Sequence, residues 1–148
     1  MTRMGVSLAH QGIKATMDGS VTIKCAFLLE DHDSFRRALA YLLEREPDIE
    51  VVGQAGSLQE ARDFTLGRLD QIDVATVDLL LPDGIGTDFI REVHRARPEL
   101  PVLVVTLVRE KEVHDWARAM GATEVMTKDV APEEIVAAVR RLALAGDG

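Results

Sequence analysis

The sequence predicts an α/β domain, with five parallel strands in one doubly wound sheet and five helices on its two faces as a three-layer α/β/α sandwich. Three observations carry that reading. Short, nearly continuous apolar runs recur along the 148 residues, as strands buried on both faces do. Segments with apolar residues at helical spacing lie between them. The two patterns alternate to the end of the chain, which argues for right-handed crossovers and a parallel sheet.

The first strand is expected over Ile23–Leu29, where all residues but Lys24 are apolar. Asp33 or Ser34 is placed to cap the next helix, whose apolar face is Phe35, Ala38, Leu39, Leu42 and Leu43 and which Pro47 stops. The second strand is Ile49–Ala55. Gly56 and Ser57 turn the chain, and Ser57 with Glu60 forms a capping box for a helix burying Leu58, Ala61, Phe64 and Thr65. Ile72–Val77 is the third strand. A helix from Thr87 to Ala96 buries Phe89, Ile90 and Val93, and Pro98 and Pro101 bracket the next turn. Val102–Val105 is the fourth strand. The fourth helix, Glu110 to Met120, buries Val113, Ala117 and Met120 and ends on Gly121. Glu124–Met126 is a short fifth strand. Pro132 suits the first position of the last helix, with Glu133 and Glu134 in its first turn and Ile135, Ala138, Val139 and Leu142 buried. Residues 1–20 read as a flexible leader, 21–144 as the domain, and 145–148 as a frayed tail or the start of a linker.

Composition narrows the function. Hydrophobic residues make up 47% and charged residues 28%, so the chain is globular rather than disordered. Aromatics are 4%, which leaves the core to Leu, Val, Ile and Ala. A net charge of -8 disfavours direct duplex binding, which needs clustered Lys and Arg. The single cysteine, Cys25, excludes an internal disulfide and Cys-based zinc spacing, and its apolar neighbours make it a buried, inert thiol. There is no run of about 18 apolar residues to span a membrane. Residues 1–19 lack the apolar core of a secretory signal, so the expected location is cytoplasmic.

Four strand ends carry chemistry. The first run delivers Glu30 and Asp31, the third Asp78, the fourth Thr106 and the fifth Lys128. In a doubly wound sheet these ends share one edge, where ligands bind. Clustered carboxylates raise one another's pKa unless a cation sits between them, and an all-oxygen set suits a hard ion such as Mg²⁺. A carboxylate that attacks phosphorus needs its charge offset and a hydroxyl donor, because phosphoryl transfer is mostly positioning and electrostatics.

At these residues the chain resembles the receiver domain of two-component response regulators, a flavodoxin-like fold, over roughly Ile23 to Ala143. The resemblance rests on Glu30-Asp31-His32, on the loop from Asp78 through Leu80, Pro82 and Asp83 to Gly84, on Thr106 and on Lys128. Lys128-Asp129 followed by Pro132-Glu133-Glu134 is most similar to the NarL/FixJ class. The resemblance implies that Asp78 accepts a phosphoryl group from a sensor histidine kinase or phosphotransfer protein. It implies Mg²⁺ held by Glu30, Asp31, Asp78 and the backbone carbonyl of Leu80. It gives Thr106 the phosphoryl oxygen to bond and report, and Lys128 the phosphate to pair with. It also implies a homodimer through the face of the fourth helix, fifth strand and fifth helix, and DNA contact only through an output domain that this chain does not contain. Two residues depart from the family pattern. Glu30 stands where Asp is commoner. Val125 stands where Tyr or Phe is usual, so the aromatic partner of the Thr106 switch is missing.

Other residues have plainer readings. His32 reads as a helix-start polar residue, His94 and His114 as surface groups, and His10 lies in the leader. Trp116 reads equally as a packing residue or as part of a partner patch, and Arg140-Arg141 as a solvated edge. Two functions remain beside the phosphoacceptor switch. One is an interaction module independent of phosphorylation, for which Val125 speaks. The other is a Mg²⁺-dependent phosphate hydrolase, against which Leu80 speaks, because haloacid-type phosphatases carry a second Asp at that spacing.

Overall fold

The computed structural model describes residues 22–145. The leader assigned to residues 1–20 and the last three residues of the expected tail lie outside them. Five strands, β1 (Lys24–Leu29), β2 (Ile49–Ala55), β3 (Val74–Val77), β4 (Val102–Thr106) and β5 (Glu124–Thr127), form one sheet in the order β2-β1-β3-β4-β5. Every neighbouring pair is parallel. The strand order reverses between β1 and β3, which opens a crevice beyond their C-terminal ends.

The helices are α1 (Asp33–Glu44), α2 (Leu58–Thr65), α3 (Gly86–Ala96), α4 (Lys111–Met120) and α5 (Pro132–Ala145). The period of two along each strand sorts them into layers. Phe27 and Leu29 of β1 face Leu58 of α2, Phe89 and Ile90 of α3 and Ala117 of α4. Ala26 and Leu28 face Leu39 and Leu43 of α1 and Ile135 and Val139 of α5. The five-stranded, doubly wound, three-layer arrangement is the one the alternation predicts. Among the described residues no helix is long and apolar enough to cross a membrane. Cys25 is buried and, as the single cysteine, forms no internal disulfide.

Local chemistry shifts some boundaries. β3 starts two residues after the expected Ile72, because Leu69–Gln71 form a 3₁₀ turn and Asp73 closes on β1 instead. The Asp73 N–H donates to Cys25 O, and the Cys25 N–H donates to Asp73 Oδ2 at 2.8 Å. Neither Asp33 nor Ser34 caps α1. His32 holds the N-cap position without a side-chain bond, while the Asp33 carboxylate takes Arg36 at 2.6 Å and Arg37 at 3.1 Å. The capping box at α2 is offset by one residue. Ser57 Oγ accepts the Glu60 N–H at 3.1 Å, but the Glu60 carboxylate takes the N–H of Gly56. A short hairpin pairing Leu80–Leu81 with Gly84–Ile85 precedes α3 and has no counterpart among the expected elements. α4 closes on Gly121 at φ 128, as expected of a glycine C-cap. α5 begins on Pro132, which needs no N–H there, and runs through Ala145.

Candidate functional site

The sheet ladder sets the acids at the crevice. The Glu30 N–H continues the β1–β2 ladder to Ala55 O, and the Asp78 N–H continues the β3–β1 ladder to Leu29 O at 3.0 Å. Glu30 is 4% exposed and Asp78 5%, whereas Asp31 is exposed. One oxygen from each of Glu30, Asp31 and Asp78 lies within 4.8 Å of the others. From the turn after β5, Lys128 reaches over them. Its Nζ is 2.8 Å from Asp78 Oδ2 and 2.8 Å from Glu30 Oε1. It also lies 4.9 Å from the centre of the Phe35 ring, a cation–π distance. The other oxygen of Asp78 accepts the Leu79 N–H at 2.7 Å.

Burial and hydrogen bonding compete in the electrostatics of this cluster. Burial, helped by the Asp78 charge, holds the Glu30 carboxyl above its usual range despite hydrogen bonds from Lys128 and the His32 N–H. Burial works against the charged form of Lys128, but its bonds to Asp78 and Glu30 outweigh it and hold the ammonium above the usual lysine value. Three carboxylates face one ammonium, and every donor atom is oxygen. That set fits a hard divalent cation. An open cavity of about 470 Å³ exposes Asp31, Asp78 and Lys128 between the apolar side chains of Phe35, Leu80 and Leu107.

Thr106 ends β4 and is fully buried. Its Oγ1 accepts the Val108 N–H at 3.2 Å. Its carbonyl accepts the Lys128 N–H at 2.9 Å, so the two strand ends are adjacent. Val125 lies opposite Val104 in the ladder, half-buried against the core on the α2–α4 face. The structure therefore joins Glu30, Asp31, Asp78 and Lys128 in one cluster, puts Thr106 beside Lys128, and leaves Val125 half-buried against the core. Leu80 sits in the hairpin, with its side chain at the cavity mouth.

Residues 26–140 match the family model described as response regulator receiver domain. The chain belongs to that family. The receiver domain is 36% identical over 116 residues to the DNA-binding transcriptional activator DevR/DosR of Mycobacterium tuberculosis, covering 77% of this chain and 52% of that protein. It is 30% identical over 115 residues to the response regulator GacA of Pseudomonas aeruginosa, covering 78% and 53%. The chain thus spans about half the length of the curated relatives it matches. Among solved structures, it resembles the signal receiver domain of the putative response regulator NarL from Mycobacterium tuberculosis. That match has a TM-score of 0.74 and 27% identity, over 82% of this chain and 97% of the other. The relatives are NarL/LuxR-type response regulators, the class that Lys128-Asp129 and Pro132-Glu133-Glu134 point to.

Several contacts around the receiver site escaped the sequence reading. Arg36 donates to Glu30 O at 2.7 Å, to Asp33 and to Gln54, and so pins the acidic turn after β1. The Asp83 carboxylate accepts the Leu58 and Gln59 N–H groups at 2.8 and 3.0 Å and caps α2 from the Asp78 loop. Those backbone donors hold its carboxyl below the usual range. Gly86 lies so close to Asp78 that a Cβ there would stand 2.1 Å from the Asp78 carbonyl oxygen. The Pro82-to-Gly86 run signals a tight loop, but nothing in the sequence signals these long-range contacts.

The plainer readings divide. His32 starts α1 as expected, and its N–H donates to Glu30 Oε2 at 2.9 Å. His94 is exposed. His114 is not a surface group. It is half-buried, with Nε2 2.6 Å from Val108 O. Trp116 is 43% exposed, so it is not a core residue. Arg140 and Arg141 are not merely solvated, since they form forked pairs with Asp48 and Glu124.

Proposed function

We propose that this receiver domain, residues 21–144, accepts a phosphoryl group on Asp78 from the phosphohistidine of a sensor kinase or phosphotransfer protein, and thereby switches an output surface in the cytoplasm. The observation that carries the reading is the Asp78 carboxylate itself. It lines an open cavity with both oxygens held, one by the Leu79 N–H and one by Lys128. A carboxylate oxygen bears more than one lone pair, so it can accept those bonds and still attack phosphorus. An Asp78 oxygen forms the new P–O bond as the donor's P–N bond breaks. The electron pair returns to the imidazole, which takes up a proton.

Glu30, Asp31 and Asp78, with the backbone carbonyl of Leu80, would hold Mg²⁺, which supplies positive charge against the transferring group. Lys128 moves its charge from Asp78 Oδ2 toward a phosphoryl oxygen. Thr106 donates its O–H to another. The modified Asp78 gains charge and acceptor oxygens, and the strand ends rearrange around it. One curated relative is named as a DNA-binding transcriptional activator. By that likeness the receiver regulates transcription through an output domain outside the matched region, and it pairs with a second copy through α4, β5 and α5.

The half-buried Val125 favours a second reading, in which partners bind whether or not Asp78 is modified. Intact-mass measurement after incubation with acetyl phosphate and Mg²⁺ separates the two. One added phosphoryl on the wild type and none on Asp78→Ala is expected, and equal labelling of both proteins would overturn the acceptor role.

A further inference from the structure

A chain of hydrogen bonds leads away from the site along the loop between β4 and α4. Thr106 Oγ1 accepts the Val108 N–H at 3.2 Å, and Val108 O lies 2.6 Å from Nε2 of His114 on α4. A carbonyl oxygen offers only lone pairs, so that ring nitrogen carries the proton and donates. Val108 is therefore held on both sides of its Cα, by the strand end and by the helix. A second tie crosses the same loop, from Arg109 to Asp129, but its side chains are 71% and 44% exposed. Exposed ion pairs of that kind hold weakly.

We infer that His114 is a positioning residue, linking the Thr106 hydroxyl to α4 through the backbone of Val108. The inference rests on the acceptor role of Asp78 proposed above. With the Val108 N–H accepted, the Thr106 hydroxyl keeps its own proton to donate. When a phosphoryl oxygen draws that hydroxyl, the Val108 N–H follows it or loses its acceptor. His114 ties the same residue to the helix, so a shift at the strand end reaches α4 without a ring on β5. The helix is lightly held, since Ala117 is its one buried residue. Elements with few buried contacts are the ones that move at low cost.

The chain carries its own reporter. Trp116, its single tryptophan, lies on α4 two residues beyond His114 and is partly exposed. The test uses the full chain with acetyl phosphate and Mg²⁺, reading the label by intact mass and Trp116 emission before and after. The wild type should gain one phosphoryl group and change its emission. His114→Phe fills the same space without an N–H. It should label as the wild type does and lose most of the emission change, because the hydrogen bond that ties Val108 to α4 is gone. His114→Gln, whose amide can donate to Val108 O, should recover most of the change. If circular dichroism shows His114→Phe unfolded, His114→Leu is read in its place. A labelled wild type with silent Trp116, a labelled His114→Phe with the full change, or a glutamine variant no better than phenylalanine overturns the inference while the acceptor role stands. A folded wild type that takes no label overturns the acceptor role, and the inference with it.

Discussion

β3 and β5 both deliver a side chain to the same ammonium–carboxylate cluster, from different surroundings. All four residues of β3 are buried, and Asp78 after it is nearly so. All four residues of β5 are half-buried, and the helix before it buries Ala117 alone. β3 lies at the centre of the sheet, with helices over both faces, while β5 is an edge strand. A group that reacts must not wander, and the acceptor role proposed for Asp78 would fall to the more deeply buried strand end. A surface that responds to the modification proposed for Asp78 must yield to a few kcal/mol, and a lightly packed edge can do so. Lys128 belongs to the yielding side by sequence and to the stiff side by its bonds.

That double membership predicts the largest effect. Lys128→Ala leaves Glu30 and Asp78 buried without their counter-charge and should cost about 3 kcal/mol in urea unfolding without Mg²⁺. A loss near zero would break the comparison, because the edge loop would then not support the centre. The same cluster has a pH signature. Glu30 binds its proton more readily folded than unfolded. Stability should therefore fall as pH rises from the ordinary glutamate range through the raised value, and level off above it. Glu30→Gln should flatten that slope, as read by midpoints at a series of pH values.

Gly86→Ala comes next. Its Cβ would meet the Asp78 carbonyl, and the rigid centre should resist the shift at about 2 kcal/mol, with slower labelling of Asp78. On the yielding side, Val125→Phe enlarges a half-buried residue and should cost only about 1 kcal/mol. A larger cost would show β5 to be packed as tightly as β3. The smallest effect belongs to Trp116→Phe on the exposed face of α4, within about 0.5 kcal/mol of wild type by thermal unfolding.

The same contrast governs what the sequence made legible. β2, buried at its start and end, falls where its apolar run lies, and so does β4 once Thr106 is added. The acids and Lys128 were readable because strand alternation places every strand end on one edge, where charge is costly without a purpose. The errors lie where one side chain competes with another for a partner. Asp33 was a fair cap until Arg36 and Arg37 took its carboxylate. β3 was placed two residues early because Asp73 bonds Cys25, 48 positions away. His114 read as a surface group because the carbonyl that holds it belongs to the loop backbone, and backbone positions leave no trace in residue type.

Glu30 and Lys128 stand 98 positions apart in the chain, and Asp78 and Lys128 stand 50 apart. During synthesis the two acids therefore exist before the lysine that neutralises them. At ribosomal speeds that interval is about 3–10 seconds. A half-made chain can pair β1 with β3, but its carboxylates must then stay protonated, solvated or apart. The ammonium arrives only when β5 docks, the last strand in and the most distant from β1 in sequence. The ammonium–carboxylate cluster is in this sense a signature of completed folding, since only a finished domain assembles it.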